Sequence, residues 1–156
     1  MCQDAKRSLG KGNKSETSEK GGSLQRGLTG KEQPQEYLDI ETRTESPGFV
    51  MRQFTVHAGK IVSATLQNRS QEGHSNDWVL VKPGTKKQVQ AKAKNTPSMW
   101  QWIPETSDIL AFVPMTKPGE ATIRLFRSPN LPGDYPFFCS VPGRGAIMNG
   151  TLHVVR

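Results

Sequence analysis

The chain has 156 residues, 21 Lys and Arg against 14 Asp and Glu, and a net charge of +7; no run in it approaches the roughly 20 apolar residues that a membrane span needs. Two cysteines, Cys2 and Cys139, exclude a disulfide scaffold, a Cys-rich zinc module and a cysteine-ligated iron–sulfur cluster, while 15 Gly and 11 Pro spread along the chain speak against a helical bundle. The basic balance comes without a basic block, aromatic interleaving or a nucleic-acid-binding motif, so nucleic acid is not an expected partner.

In chain order, residues 1–35 read as a disordered polar tether. Gly10–Lys20 followed by Gly21-Gly22-Ser23 is rich in Gly, Ser, Lys and Glu, and Leu9, Leu24 and Leu28 are too sparse to offset the entropy of ordering. Cys2, ahead of this polar spacer, resembles the lipidated first residue of a mature bacterial lipoprotein, although no apolar signal segment or lipobox precedes it. That reading implies a bacterial periplasm or envelope location, with membrane contact only through a lipid on Cys2. An expression remnant or a chance early cysteine is the other reading.

Residues 36–156 read as one β domain. Tyr37–Thr42 alternates with period two and ends at Ser46-Pro47-Gly48. Phe49–Val56 and Ile61–Leu66 follow, split by the hairpin-like break Ala58-Gly59-Lys60. Trp78–Val81 is a short apolar run. Thr85 is placed to cap a helix over Lys86–Lys94, whose Ala, Gln and Lys favour helix. Ile109–Met115, Thr122–Phe126, Tyr135–Ser140 and Met148–Val155 complete the strands. Their short, turn-punctuated spacing predicts an all-β, antiparallel Greek-key sandwich with one short helical insertion. Trp78, Tyr135, Phe137 and Phe138 are expected in its core or corners. Met99, Trp100 and Trp102 form an aromatic cluster that packs inside or, if exposed, offers a partner patch. The lysines of the helix solvate one face or meet an acidic partner.

The C-terminal segment carries the most specific signal: Tyr135-Pro136-Phe137-Phe138-Cys139-Ser140-Val141-Pro142-Gly143-Arg144-Gly145-Ala146-Ile147-Met148-Asn149-Gly150. It resembles the ligand loop of cupredoxins of the azurin and auracyanin type, in which Cys, His and Met ligands share one loop. Asp77-Trp78-Val79-Leu80-Val81 is similar to that family's H-N-W-V-L segment. Ile103-Pro104-Glu105-Thr106 and Lys117-Pro118-Gly119-Glu120 also fit the auracyanin-like branch. The resemblance covers roughly residues 37–156 and implies the cupredoxin fold, a type 1 copper cofactor, electron transfer and a redox protein or membrane complex as partner. Such a site sets two His nitrogens and one Cys thiolate in a near-trigonal plane with a long axial Met.

Two ligand positions depart from that pattern. Arg144 stands at the loop His position, and Asn76 stands at the first His position, two residues before Trp78; Cys139 and Met148 are retained. Arginine stays protonated and has no lone pair to donate. Its charge about 6 Å from a divalent ion would cost on the order of several kcal/mol even at an effective dielectric of about 20. An Asn carbonyl oxygen is a hard donor, poorly matched to a copper–thiolate centre. His74 enters the ligand set with Cys139 and Met148 only if a bulge shifts it into register; otherwise it is a solvated loop residue. His57 and His153 match no ligand position and read as surface residues. Cys139 is an inert buried thiol or, with Arg144 folded inward, a stabilised thiolate.

Two functions follow. One is a copper-free, cupredoxin-like binding or assembly module associated with a redox system. The other is a copper electron carrier with a remodelled site built on Cys139, Met148 and His74. No nucleophile–base pair accompanies either, so an enzyme is not expected.

Overall fold

The structure, a computed structural model, describes residues 32–97 and 103–156. The expected tether, including Cys2, lies almost wholly outside the described residues, as does the Met99, Trp100 and Trp102 cluster. The described residues form eight strands: β1 Glu36–Glu41, β2 Gln53–His57, β3 Ile61–Gln67, β4 Asn76–Val81, β5 Ile109–Thr116, β6 Ala121–Arg127, β7 Gly133–Phe138 and β8 Asn149–Val155. Among the same residues, one helix, α1, spans Lys86–Lys94 between β4 and β5. The strands form a three-stranded sheet in the order β1-β3-β6 and a five-stranded sheet in the order β2-β8-β7-β4-β5. No helix among the described residues is long and apolar enough to cross a membrane.

Three features differ from the sequence expectation. The sandwich is not wholly antiparallel, since β1 pairs β3 and β2 pairs β8 in parallel. Phe49–Val56 is not one strand: Phe49 makes an isolated bridge to Thr42, and regular pairing begins at Gln53. Ala58-Gly59-Lys60 does not close a hairpin either, because β2 and β3 belong to different sheets. Gly59 takes a left-handed φ of 69°, and the turn is tied to other segments, Ala58 N–H to Val155 O and Gly59 N–H to Pro129 O. The turn chemistry resembles a hairpin's; its partners make it a crossing between layers.

The main core lies between the sheets. Trp78 is fully buried, with ring centroids 5.5 Å from Phe137 and 6.0 Å from Phe126. Burying a side chain of this size stabilises the fold by about 1.5–3 kcal/mol. Tyr135 closes a corner by donating its hydroxyl to Leu131 O at 2.6 Å. A second cluster joins Val79, Val81, Ile103, Ile109, Phe112 and Phe138 to Val89 of α1. This is why β4 is a continuous apolar run: Trp78 and Leu80 face the sandwich while Val79 and Val81 meet the helix, so both faces are covered. α1 spans the expected residues, but Thr85 does not cap it through its side chain; the hydroxyl donates to Lys82 O at 2.7 Å.

Candidate metal centre

Two chain segments meet at one end of the five-stranded sheet. The first is the start of β4 with the residues before it. The second is the connection from β7 to β8, whose ladder ends at Phe138↔Asn149 and is extended by Cys139 N–H donating to Met148 O at 3.0 Å. Beyond this neck the loop is held by its own backbone. Arg144 N–H donates to Val141 O at 2.9 Å, and Arg144 O accepts from Ile147 N–H at 2.9 Å and Met148 N–H at 2.7 Å. Cys139 and Met148 are buried in the main core, just before and just after the loop.

Arg144 folds inward across the gap. Its Nη1 donates to Asn76 Oδ1 at 2.6 Å and to Ser75 O at 2.7 Å. Its Nη2 lies 3.2 Å from Nδ1 of His74, and Nε2 of that ring faces Glu72 at 3.6 Å. Both His74 nitrogens are thus directed at protein groups. Asn76 Oδ1 also accepts from Cys139 Sγ at 3.8 Å. Asn76, Cys139 and Arg144 therefore converge on one carbonyl oxygen. Among the described residues, no group of three or more His, Cys, Asp and Glu side chains is placed to hold a metal ion.

Behind this knot stand two buried residues that the motif reading overlooked. Asn68 is a hub: its Nδ2 donates to His74 O at 2.7 Å and Thr116 O at 2.8 Å, and its Oδ1 accepts from Thr42 Oγ1, Ser70 N–H and Asn76 Nδ2. Asp77 accepts the Ser140 N–H at 2.7 Å on Oδ1 and the Ser140 hydroxyl on Oδ2, fastening β4 to the residue after Cys139. Burial pushes the Asp77 carboxyl up to about 6, against the opposing pull of the Ser140 hydrogen bonds and the Arg144 charge. An acid beside Trp78 in an apolar strand was the available signal for Asp77. Asn68 sits in a polar stretch and offered none.

The inward turn of Arg144 does not make Cys139 reactive. Burial first, and then the Asp77 carboxylate, push the thiol well above its usual range, so it stays protonated and weakly nucleophilic. A cavity of about 220 Å³ lies between α1 and the loop, with Gln90, Lys94, Cys139 and Val141 in its wall. His57 and His153 lie far along the sheets from this end. His57 Nδ1 pairs with Glu36 Oε2 at 2.6 Å, and His153 Nδ1 with Asp134 Oδ1 at 2.7 Å.

No family model matches the chain. It is 28% identical over 127 residues to Auracyanin-B of Chloroflexus aurantiacus, a match covering 79% of this chain and 54% of that protein. The chain therefore spans about half the length of that relative. It is 30% identical over 125 residues to Auracyanin-A of the same organism, covering 75% of this chain and 73% of the relative. It is 34% identical over 111 residues to Azurin of Bordetella pertussis, covering 67% and 68%. Among solved structures, auracyanin B superposes with a TM-score of 0.74 at 28% identity, covering 80% of this chain and 92% of the other. Auracyanin A, described as a "blue" copper protein, superposes with a TM-score of 0.70 at 27% identity, covering 76% and 97%.

Proposed function

Because the chain belongs to the azurin- and auracyanin-like cupredoxins, we propose that it is a copper-free member of them: a binding or assembly module of the bacterial envelope that works beside a redox protein or membrane complex. The observation that carries this reading is the 2.6 Å hydrogen bond from Arg144 Nη1 to Asn76 Oδ1. It joins the two residues that stand at the family's His positions and commits both to each other. A guanidinium has no lone pair, and the single oxygen Asn76 could offer already accepts from Arg144 and Cys139. The residues present do not fit a type 1 copper ion. The rest of the cupredoxin frame supports partner binding as the retained role, without enzymatic chemistry. The envelope location is inferred from the family alone.

A second reading rests on the neck of the loop. The Cys139–Met148 pairing is intact, and the His74 ring touches Arg144. If Arg144 swung out, Cys139, Met148 and His74 would be left as a soft donor set suited to Cu(I).

Titration of the purified protein with Cu(II) and then Cu(I), followed by visible absorption and metal stoichiometry, separates the two. The copper-free reading expects no thiolate–copper band and no stoichiometric metal. An intense band that vanishes in Cys139→Ala would overturn it. Colourless Cu(I) binding lost in His74→Ala would establish the remodelled site.

A further inference from the structure

We propose that the basic face of α1, formed by Lys86, Lys87 and Lys94 and joined by Arg52, is the docking surface for an acidic protein partner. This rests on the reading of the chain as a binding module and adds which face binds and what it meets. α1 carries four lysines and no acid, with no acidic residue in its first turn. Lys86 and Lys87 occupy that turn, where positive charge opposes the helix dipole, and Thr85 supplies no side-chain cap to offset it. The Arg52 charge adds to the crowding, since burial and that neighbour together hold the Lys86 ammonium below its ordinary range.

Elsewhere the fold sets several of its cations against acids. Arg69 meets Glu41 at 3.5 Å, Arg127 meets Glu32 at 3.1 Å, and His57 meets Glu36 at 2.6 Å. These three pairs lie away from α1, and Glu105 lines a cavity with Lys92 near the C-terminal end of the helix. Folding alone gives no reason for this segregation, because glutamates at 86 and 87 would suit the helix better. A local arrangement that disfavours the isolated chain while concentrating one sign of charge on an exposed face is what steering and docking of an opposite charge require. Lys86, Gln90 and Lys94 follow each other at four-residue spacing along one side of the helix. Gln90 and Lys94 line the cavity shared with Cys139, and Arg52 Nε holds Asn149 O at 3.0 Å. The basic face is therefore continuous with the altered loop.

The test uses the full chain, isotope-labelled for NMR, titrated with poly-L-glutamate as the acidic polypeptide probe. Amide shifts are expected in α1 and around Arg52, fading as salt rises. Lys86→Glu/Lys87→Glu should weaken binding at least about tenfold while raising the thermal midpoint, because the helix itself improves. Lys60→Glu/Lys117→Glu, the same charge change away from α1, should stay within about twofold. Equal weakening by both pairs, or shifts that avoid α1, would overturn the proposal. Tighter binding of phosphatidylcholine–phosphatidylglycerol vesicles than of the peptide through α1 would overturn it in favour of a membrane face. The copper titration is independent: a blue band would remove the copper-free reading and leave this surface standing, whereas silent copper with no α1 response would do the reverse.

Discussion

Arg144 and Asn76, 68 residues apart in the chain, share a 2.6 Å hydrogen bond at the end of the sandwich, and the same guanidinium nitrogen reaches Ser75 O at 2.7 Å. One side chain thus ties the β7–β8 loop to the entrance of β4. In the copper-free reading, this tie takes over the cross-linking that a metal would provide.

Replacing Arg144 by Met keeps an unbranched apolar stem and removes every side-chain donor. Asn76 Oδ1 and Ser75 O then lose a charge-assisted partner, so destabilisation of about 1–3 kcal/mol is expected in urea unfolding. Arg144→Lys should recover only part of this, because an ammonium cannot reproduce the fork. A Met variant as stable as the parent would show that the tie is ornamental.

Placing histidines at both positions tests whether the frame fits a blue copper ion. Asn76→His/Arg144→His is expected to bind Cu(II) with an intense visible band, and Arg144→His alone to give a weaker or no band. A folded but colourless double variant would mean that the loop and β4 have shifted beyond the ligand change.

Asp77 gives the stability a pH dependence of definite sign. Its folded value, about 6, lies above the ordinary 3.8, so between those values the folded state binds more protons than the unfolded state. Its contribution is fully present below about pH 4 and is lost as pH rises through about 6. Relative to Asp77→Asn, the parent should lose up to about 3 kcal/mol between pH 4 and 7 in denaturant unfolding. A difference of the opposite sign would remove the buried carboxylate from the account.

Gly150 and Gly145 should respond unequally to Ala. A Cβ on Gly150 would lie 2.2 Å from Arg52 O and 2.4 Å from Phe137 Cζ, neither of which can move freely. Gly150→Ala should cost about 3 kcal/mol or more. A Cβ on Gly145 meets the end of the Gln90 side chain at 2.1 Å, which can swing away, so Gly145→Ala should cost under about 1 kcal/mol. Thermal midpoints of the two variants check the order.

The readable parts of the sequence were those governed by local rules. Period-two alternation located Tyr37–Thr42 and Ile61–Leu66 to within a residue or so, and Lys86–Lys94 formed the expected helix. Cys139, Arg144 and Met148 in the loop and Asn76 at the start of β4 were singled out through the resemblance to cupredoxins, and the fold brings Asn76, Cys139 and Arg144 together. What escaped depends on distant partners. Nothing local to Ala58-Gly59-Lys60 distinguishes a hairpin from a crossing; Ser128, Pro129 and Val155 decide it. Parallel pairing of β1 with β3 likewise has no local signature. Arg144 could have pointed outward into water; the carbonyl oxygens of Ser75 and Asn76 draw it in. Asn68 gathers bonds from four segments, and only the folded chain brings those together.

The backbone bond from Cys139 to Met148 has a consequence for divergence. It zips the β7–β8 hairpin shut up to its mouth, so residues 140–147 project from a frame already closed behind them. Changing such an end loop disturbs little of the ladder, and altering its length adds only a slowly growing closure entropy. The segment is therefore a cassette. Beyond Ser140, which Asp77 fastens to β4, its side chains can be exchanged one at a time while the sandwich keeps its shape.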